Sequence, residues 1–108
     1  MWKEQQKQRQ EQERQSKEIE SHKQRIHKLE LKAEQATADI ESARKRIGKL
    51  YALLDLAEAA QASTVPGSQQ DIRCQKQIIS LENQIATAEK KYRKAKHDRR
   101  EIRRQLAA

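Results

Sequence analysis

Phenylalanine is absent from this chain, and Trp2, Tyr51 and Tyr92 are its only aromatic residues. Proteins that hold single-stranded nucleic acid stack its bases on aromatic platforms, and this chain has none to offer. Cysteine occurs once, at Cys74, which forbids an internal disulfide and fits a reducing compartment, the cytoplasm by default or the nucleus. No His, Cys or acidic pair has metal-ligand spacing, so no metal site is expected. Apolar runs are only a few residues long, far below the roughly 20 needed to span a bilayer. The opening MWKEQQKQRQEQERQ has no apolar stretch and cannot serve as a secretory signal. There is no glycine-rich phosphate loop and no nucleophile beside a candidate base, so neither catalysis nor a cofactor is expected. With 34% apolar and 37% charged residues the chain is too polar for a compact globule.

What the chain does contain is a hydrophobic repeat of seven. From Ile19 through Ile26, Leu29, Ala33, Ala36, Ile40, Ala43, Ile47, Leu50 and Leu54 to Ala57, apolar residues keep alternating spacings of three and four, with His22 the one polar member. The series resumes at Cys74 and runs through Ile78, Leu81, Ile85, Ala88, Tyr92, Ala95 and Ile102 to Leu106, broken once by Arg99. Such a pattern specifies a coiled coil. Between the two series lies STVPGSQQ, which contains the only proline. Pro66 ends a helix and disfavours helical geometry at Val65, and Pro-Gly suits the centre of a type II turn. Ser68 followed by Asp71 has the form of a helix N-cap.

The expected fold is therefore all-α: two long helices in an antiparallel coiled-coil hairpin, with a helix over 25–62, a turn over 63–70 and a helix over 71–108. Residues 1–24 form a Gln- and charge-rich extension, in which Gln5, Gln8, Gln12 and Gln15 occupy the places where apolar residues would sit. A turn centred near Gly67 pairs residues whose numbers sum to about 135. Ala57 then faces Ile78, Leu54 faces Leu81, Leu50 faces Ile85, Ile47 faces Ala88, Ala43 faces Tyr92, Ile40 faces Ala95, Ala33 faces Ile102 and Leu29 faces Leu106, so that large residues mostly meet small ones. Arg99 falls opposite Ala36, where its stem can cover apolar surface and its head can reach water. Cys74 is expected to be a small buried hydrophobe. Gly48 lies off the seam.

Two surface features exceed what a hairpin needs for itself. Leu53, Leu56, Ala60, Val65, Ile72 and Ile79 lie outside the seam near the turn, with Tyr51 close by. They either thicken the local core or form a docking surface, for another protein or for a second hairpin that would complete a four-helix bundle. The second feature is charge. The net charge is +8, and the segment 90–104 holds nine Lys or Arg against Asp98 and Glu101. Lys90, Lys91, Arg93, Lys94, Lys96, Arg100, Arg103 and Arg104 make up its candidate binding face. Such a face suits an acidic protein surface or an anionic leaflet, or binds phosphate backbones without reading sequence. Leucine-zipper factors carry their basic region ahead of the repeat, whereas here it lies on the repeat itself.

These properties point to a non-catalytic spacer or adaptor that acts in a protein assembly through its apolar tip and basic C-terminal helix. The alternative is an accessory protein that binds nucleic acid electrostatically. In length, charge and hairpin form the chain is similar to the basic coiled-coil stalk proteins of flagellar and type III secretion systems. That resemblance implies a cytoplasmic hairpin linking an ATPase ring to an export gate. Neither end of the chain has a recognisable helix cap, as in a segment of a longer coiled coil.

Overall fold

A computed structural model describes residues 2–108 as two helices, α1 (Trp2–Ala62) and α2 (Gln69–Ala107), folded into an antiparallel hairpin. The molecule is a rod of 97 × 15 × 15 Å. Its length is set by α1, since 61 residues at 1.5 Å each reach about 92 Å. No helix among the described residues is long and apolar enough to cross a membrane.

The turn is built from its sequence chemistry. Gly67 takes φ 81°, the left-handed value that the third residue of a type II turn requires, and the Ser68 N–H donates to the Val65 carbonyl at 3.1 Å to close it. On the α1 side, Ser63 and Thr64 N–H groups donate to the carbonyls of Ala60 (3.2 Å) and Gln61 (3.0 Å), tightening the last turn and satisfying carbonyls that a helix end would leave bare. On the α2 side, the Ser68 hydroxyl accepts from the Asp71 N–H at 3.2 Å. This cap draws Gln69 and Gln70 into α2, so the helix begins two residues before the expected start at 71.

Leu50, Ala57, Leu81, Ile85 and Ala88 form the buried core, and Ile47, Leu54 and Ile78 pack against it. These are the same eight residues that a register summing to about 135 arranges as four layers. Farther from the turn only Ala36 and Ile40 are buried. Ile26, Leu29, Ala33, Ala43, Tyr92, Ala95, Ile102 and Leu106 are half-buried, as is Arg99. Two helices cannot enclose a seam on all sides, and among the described residues no side chain is completely sealed. Cys74 is half-buried rather than enclosed, because it shares its layer with Gln61 and the layer toward the turn is Thr64 with Asp71.

α1 runs without interruption across position 25, but burial begins only at Ile26. Residues 2–25 are exposed throughout, including Ile19 and His22, because α2 ends at Ala107 and reaches no farther than the level of Leu29. α1 continues for roughly six to seven more turns with nothing to pack against.

Candidate functional site

The two layers nearest the turn are polar. Gln61 and Thr64 continue the α1 series at the same spacing, and Asp71 extends the α2 series backwards, so the carboxylate lands inside the seam and is buried. It accepts from the Gly67 N–H at 2.9 Å, from Gln61 Nε2 at 3.2 Å and from Gln75 Nε2 at 3.2 Å. The Gly67 amide is the main cause that holds its pKa below the usual carboxylate range. Gln61 adds to that effect, burial opposes it, and Thr64 and Gln75 reinforce it. One side chain thus ties the turn, the end of α1 and the start of α2 together. The sequence signal was the spacing itself, which places polar residues where the next layers must fall.

Side chains beside the seam divide into two flanks. A residue following a seam position turns to one side and a residue preceding it turns to the other, and in an antiparallel pair like flanks of the two helices coincide. Tyr51 follows Leu50 and Glu89 follows Ala88, and their side chains meet, with the phenol donating to Glu89 Oε1 at 2.7 Å. The adjacent carboxylate raises the Tyr51 pKa, chiefly through that bond. On the other flank Asp39, Arg46, Lys91 and Asp98, each preceding a seam residue, line a shallow groove floored by Ala36, Ala43, Ala88 and Ala95.

The candidate tip residues are all exposed, Val65 and Leu56 most of all at 72% and 67%. Leu53, Leu56 and Ala60 precede Leu54, Ala57 and Gln61, which puts them on the groove flank. Ile72 follows Asp71 and lies toward the Tyr51 flank, whereas Ile79 points outward from α2 and lines a shallow groove with Arg46, Gln84 and Lys91 of the other flank. The helical geometry therefore spreads the tip residues around the rod, with Val65 at the turn.

The basic segment divides in the same way. Lys96, Arg100, Arg103 and Arg104 line one shallow groove with Arg99, which was expected only as a seam exception. Lys91 and Lys94 lie on the groove flank, near the carboxylates of Asp39 and Asp98. Lys90 and Arg93 are exposed between them. Lys96 Nζ also sits 5.1 Å from the centre of the Tyr92 ring. Among the described residues the only ion pair is Arg104–Glu101 at 3.0 Å. The other cations of this segment are free to meet an external anion. Comparison with family models, curated proteins and solved structures finds no match to this chain.

Proposed function

We propose that this chain is a non-catalytic spacer or adaptor in a protein assembly, contacting partners through the apolar stripes at the turn end and the basic helix at the other. The observation that carries this reading is the placement of large apolar side chains. Leu53, Leu56, Ile72 and Ile79 are exposed beside the best-packed part of the seam, where the hairpin's own stability does not require them. A stiff rod that offers apolar stripes at one end and unpaired cations at the other suits bridging two surfaces. Affinity capture with the full chain tests it. Leu53→Ser, Leu56→Ser and Ile79→Ser together abolish partner binding while the helical circular dichroism is retained. Partner binding unchanged by that variant would refute the role of the tip.

A second reading is electrostatic binding of nucleic acid, favoured by the groove that gathers Lys96, Arg99, Arg100, Arg103 and Arg104. It requires binding to mixed-sequence duplex that falls by orders of magnitude between about 50 and 200 mM salt. Charge reversal at Arg93, Lys94, Arg100 and Arg104 must then matter while the tip variant does not. No binding at the lower salt removes this reading.

A further inference from the structure

The segment of α1 beyond the reach of α2 keeps the repeat but has no partner, and its flanking charges are ordered. One series of seam positions there is Gln5, Gln12, Ile19 and Ile26, and the residues preceding them are Glu4, Glu11, Glu18 and Arg25. The other series is Gln8, Gln15, His22 and Leu29, and the residues following them are Arg9, Ser16, Lys23 and Glu30. One flank is thus acidic and then basic, while the other is basic and then acidic, with the change of sign at the same level. None of these charges forms an ion pair within the described molecule.

We propose that residues 2–25 pair with the same segment of a second copy of this chain as a parallel, in-register two-stranded coiled coil. In that arrangement each flanking residue faces the residue five positions later on the other helix. Glu4 of one copy meets Arg9 of the other, Glu18 meets Lys23, and Glu11 meets the neutral Ser16. Each contact occurs twice by symmetry, and none joins like charges. Slipping the pair by seven residues leaves only Glu11 against Lys23 and Glu11 against Arg9 as opposite pairs, in place of four, and sets Arg25 against Lys23. Turning one helix around lays the glutamate row along the glutamate row. The charges therefore select the occupant, its direction and its register together.

The seam of such a pair is mostly glutamine, whose amides can donate and accept across the interface but contribute little burial. Polar seam residues specify an assembly at the cost of strength. From about Ile26 onwards each copy's own α2 occupies the seam, so the two hairpins diverge and the assembly is Y-shaped, with the turns at the far ends. The association is weak, reversible and sensitive to salt. It is independent of the role given above to the tip.

Sedimentation equilibrium of the full chain tests this between about 10 µM and 1 mM protein, at about 20 mM salt, where surface charges are poorly screened. The mass rises from 12.7 kDa toward twice that value with concentration. Glu4→Lys with Glu18→Lys weakens the association by about tenfold or more, and Arg9→Glu with Lys23→Glu does the same. Mixing these two variants restores it, because each reversed charge then faces one of opposite sign. Direction is read from Gln8→Cys in a Cys74→Ser background, which cross-links the copies through a disulfide if they are parallel. An antiparallel pair would hold those positions roughly 16 Å apart, beyond disulfide reach. A chain that stays at 12.7 kDa throughout overturns the proposal. So does a dimer that ignores the charge reversals, fails to cross-link at position 8, or is lost only with Leu53→Ser and Leu56→Ser.

Discussion

Gly48 and Gly67 are the only glycines, and replacing each with alanine has opposite consequences. Gly48 lies exposed in the interior of α1, and a Cβ built there meets nothing within 4 Å. The substitution adds no contact and removes only the conformational freedom that glycine loses on entering a helix. Gly48→Ala therefore stabilises the hairpin by about 1 kcal/mol. A Cβ at Gly67 also meets nothing within 4 Å, so steric collision with neighbours does not enter. The cost there comes from the backbone, because φ 81° is a left-handed conformation that disfavours an L residue by about 1–2 kcal/mol. Gly67→Ala lowers stability by that amount, and Gly67→Asn by less, since asparagine tolerates the left-handed region. For a chain of this size Gly48→Ala raises the melting temperature by about 4–8 °C, and Gly67→Ala lowers it by about that much or up to twice as much. Thermal melts followed by far-ultraviolet circular dichroism, at one fixed concentration, resolve shifts of that size. The Gly67 penalty exists only if the chain folds back through this turn. A Gly67→Ala variant as stable as the parent would refute the hairpin, and a destabilised Gly48→Ala would show that another element approaches α1 at that point.

Truncating the core at Leu81→Ala should cost about 2–4 kcal/mol, whereas Leu56→Ala, on the exposed stripe, should stay within about 0.5 kcal/mol; urea titration separates the two. The folded-state pKa of Asp71 is lowered, so its contribution is present above the unfolded carboxylate pKa and is lost as pH falls through the folded value. Melts below about pH 4 should show this loss, and Asp71→Asn should flatten it. Tyr51 has the opposite sign. Its raised pKa means that the contact with Glu89 contributes below about pH 10 and disappears as pH climbs through the folded value, an alkaline loss that Tyr51→Phe should abolish. Amide exchange should be slowest around 47–57 and 78–88 and become faster toward Leu29 and Leu106; uniform protection along the rod would contradict a core confined to the turn end.

The hairpin was legible in the sequence because a repeat of seven and a Pro-Gly turn are local signals that point to the same register. Ala57, Leu54, Leu50 and Ile47 could be matched to Ile78, Leu81, Ile85 and Ala88 by addition alone, and the core contains those residues. The repeat also reaches Asp71, but a hydrophobicity pattern registers a carboxylate as an interruption. Its role depends on donors from Gly67, Gln61 and Gln75, which only the closed turn brings within reach. The surface features were legible as composition and misleading as patches. Leu56 and Ile72 are both near the turn along the rod, yet they turn to different sides of it, and only the direction of each residue relative to the seam separates them.

The distribution of apolar residues along the seam separates the two proposed interaction surfaces to the ends of the rod. Next to the polar turn, the layers Ala57–Ile78, Leu54–Leu81, Leu50–Ile85 and Ile47–Ala88 each contain at least one buried residue. Toward the open end they become Ala43 with Tyr92, Ala36 with Arg99 and Ala33 with Ile102, and most of these are only half-buried. Burial of apolar area is what holds two helices together, so the hairpin is firmest at the turn and loosens toward Leu29 and Leu106. A partner bound at the turn end would find stripes already fixed in place by the core behind them. At the opposite end, the helix that continues past Leu29 has charge order without apolar burial, which supplies selectivity with little affinity. A contact there responds to concentration and salt, whereas a contact at the turn responds to the loss of a leucine, so the two can be switched independently on one rigid rod.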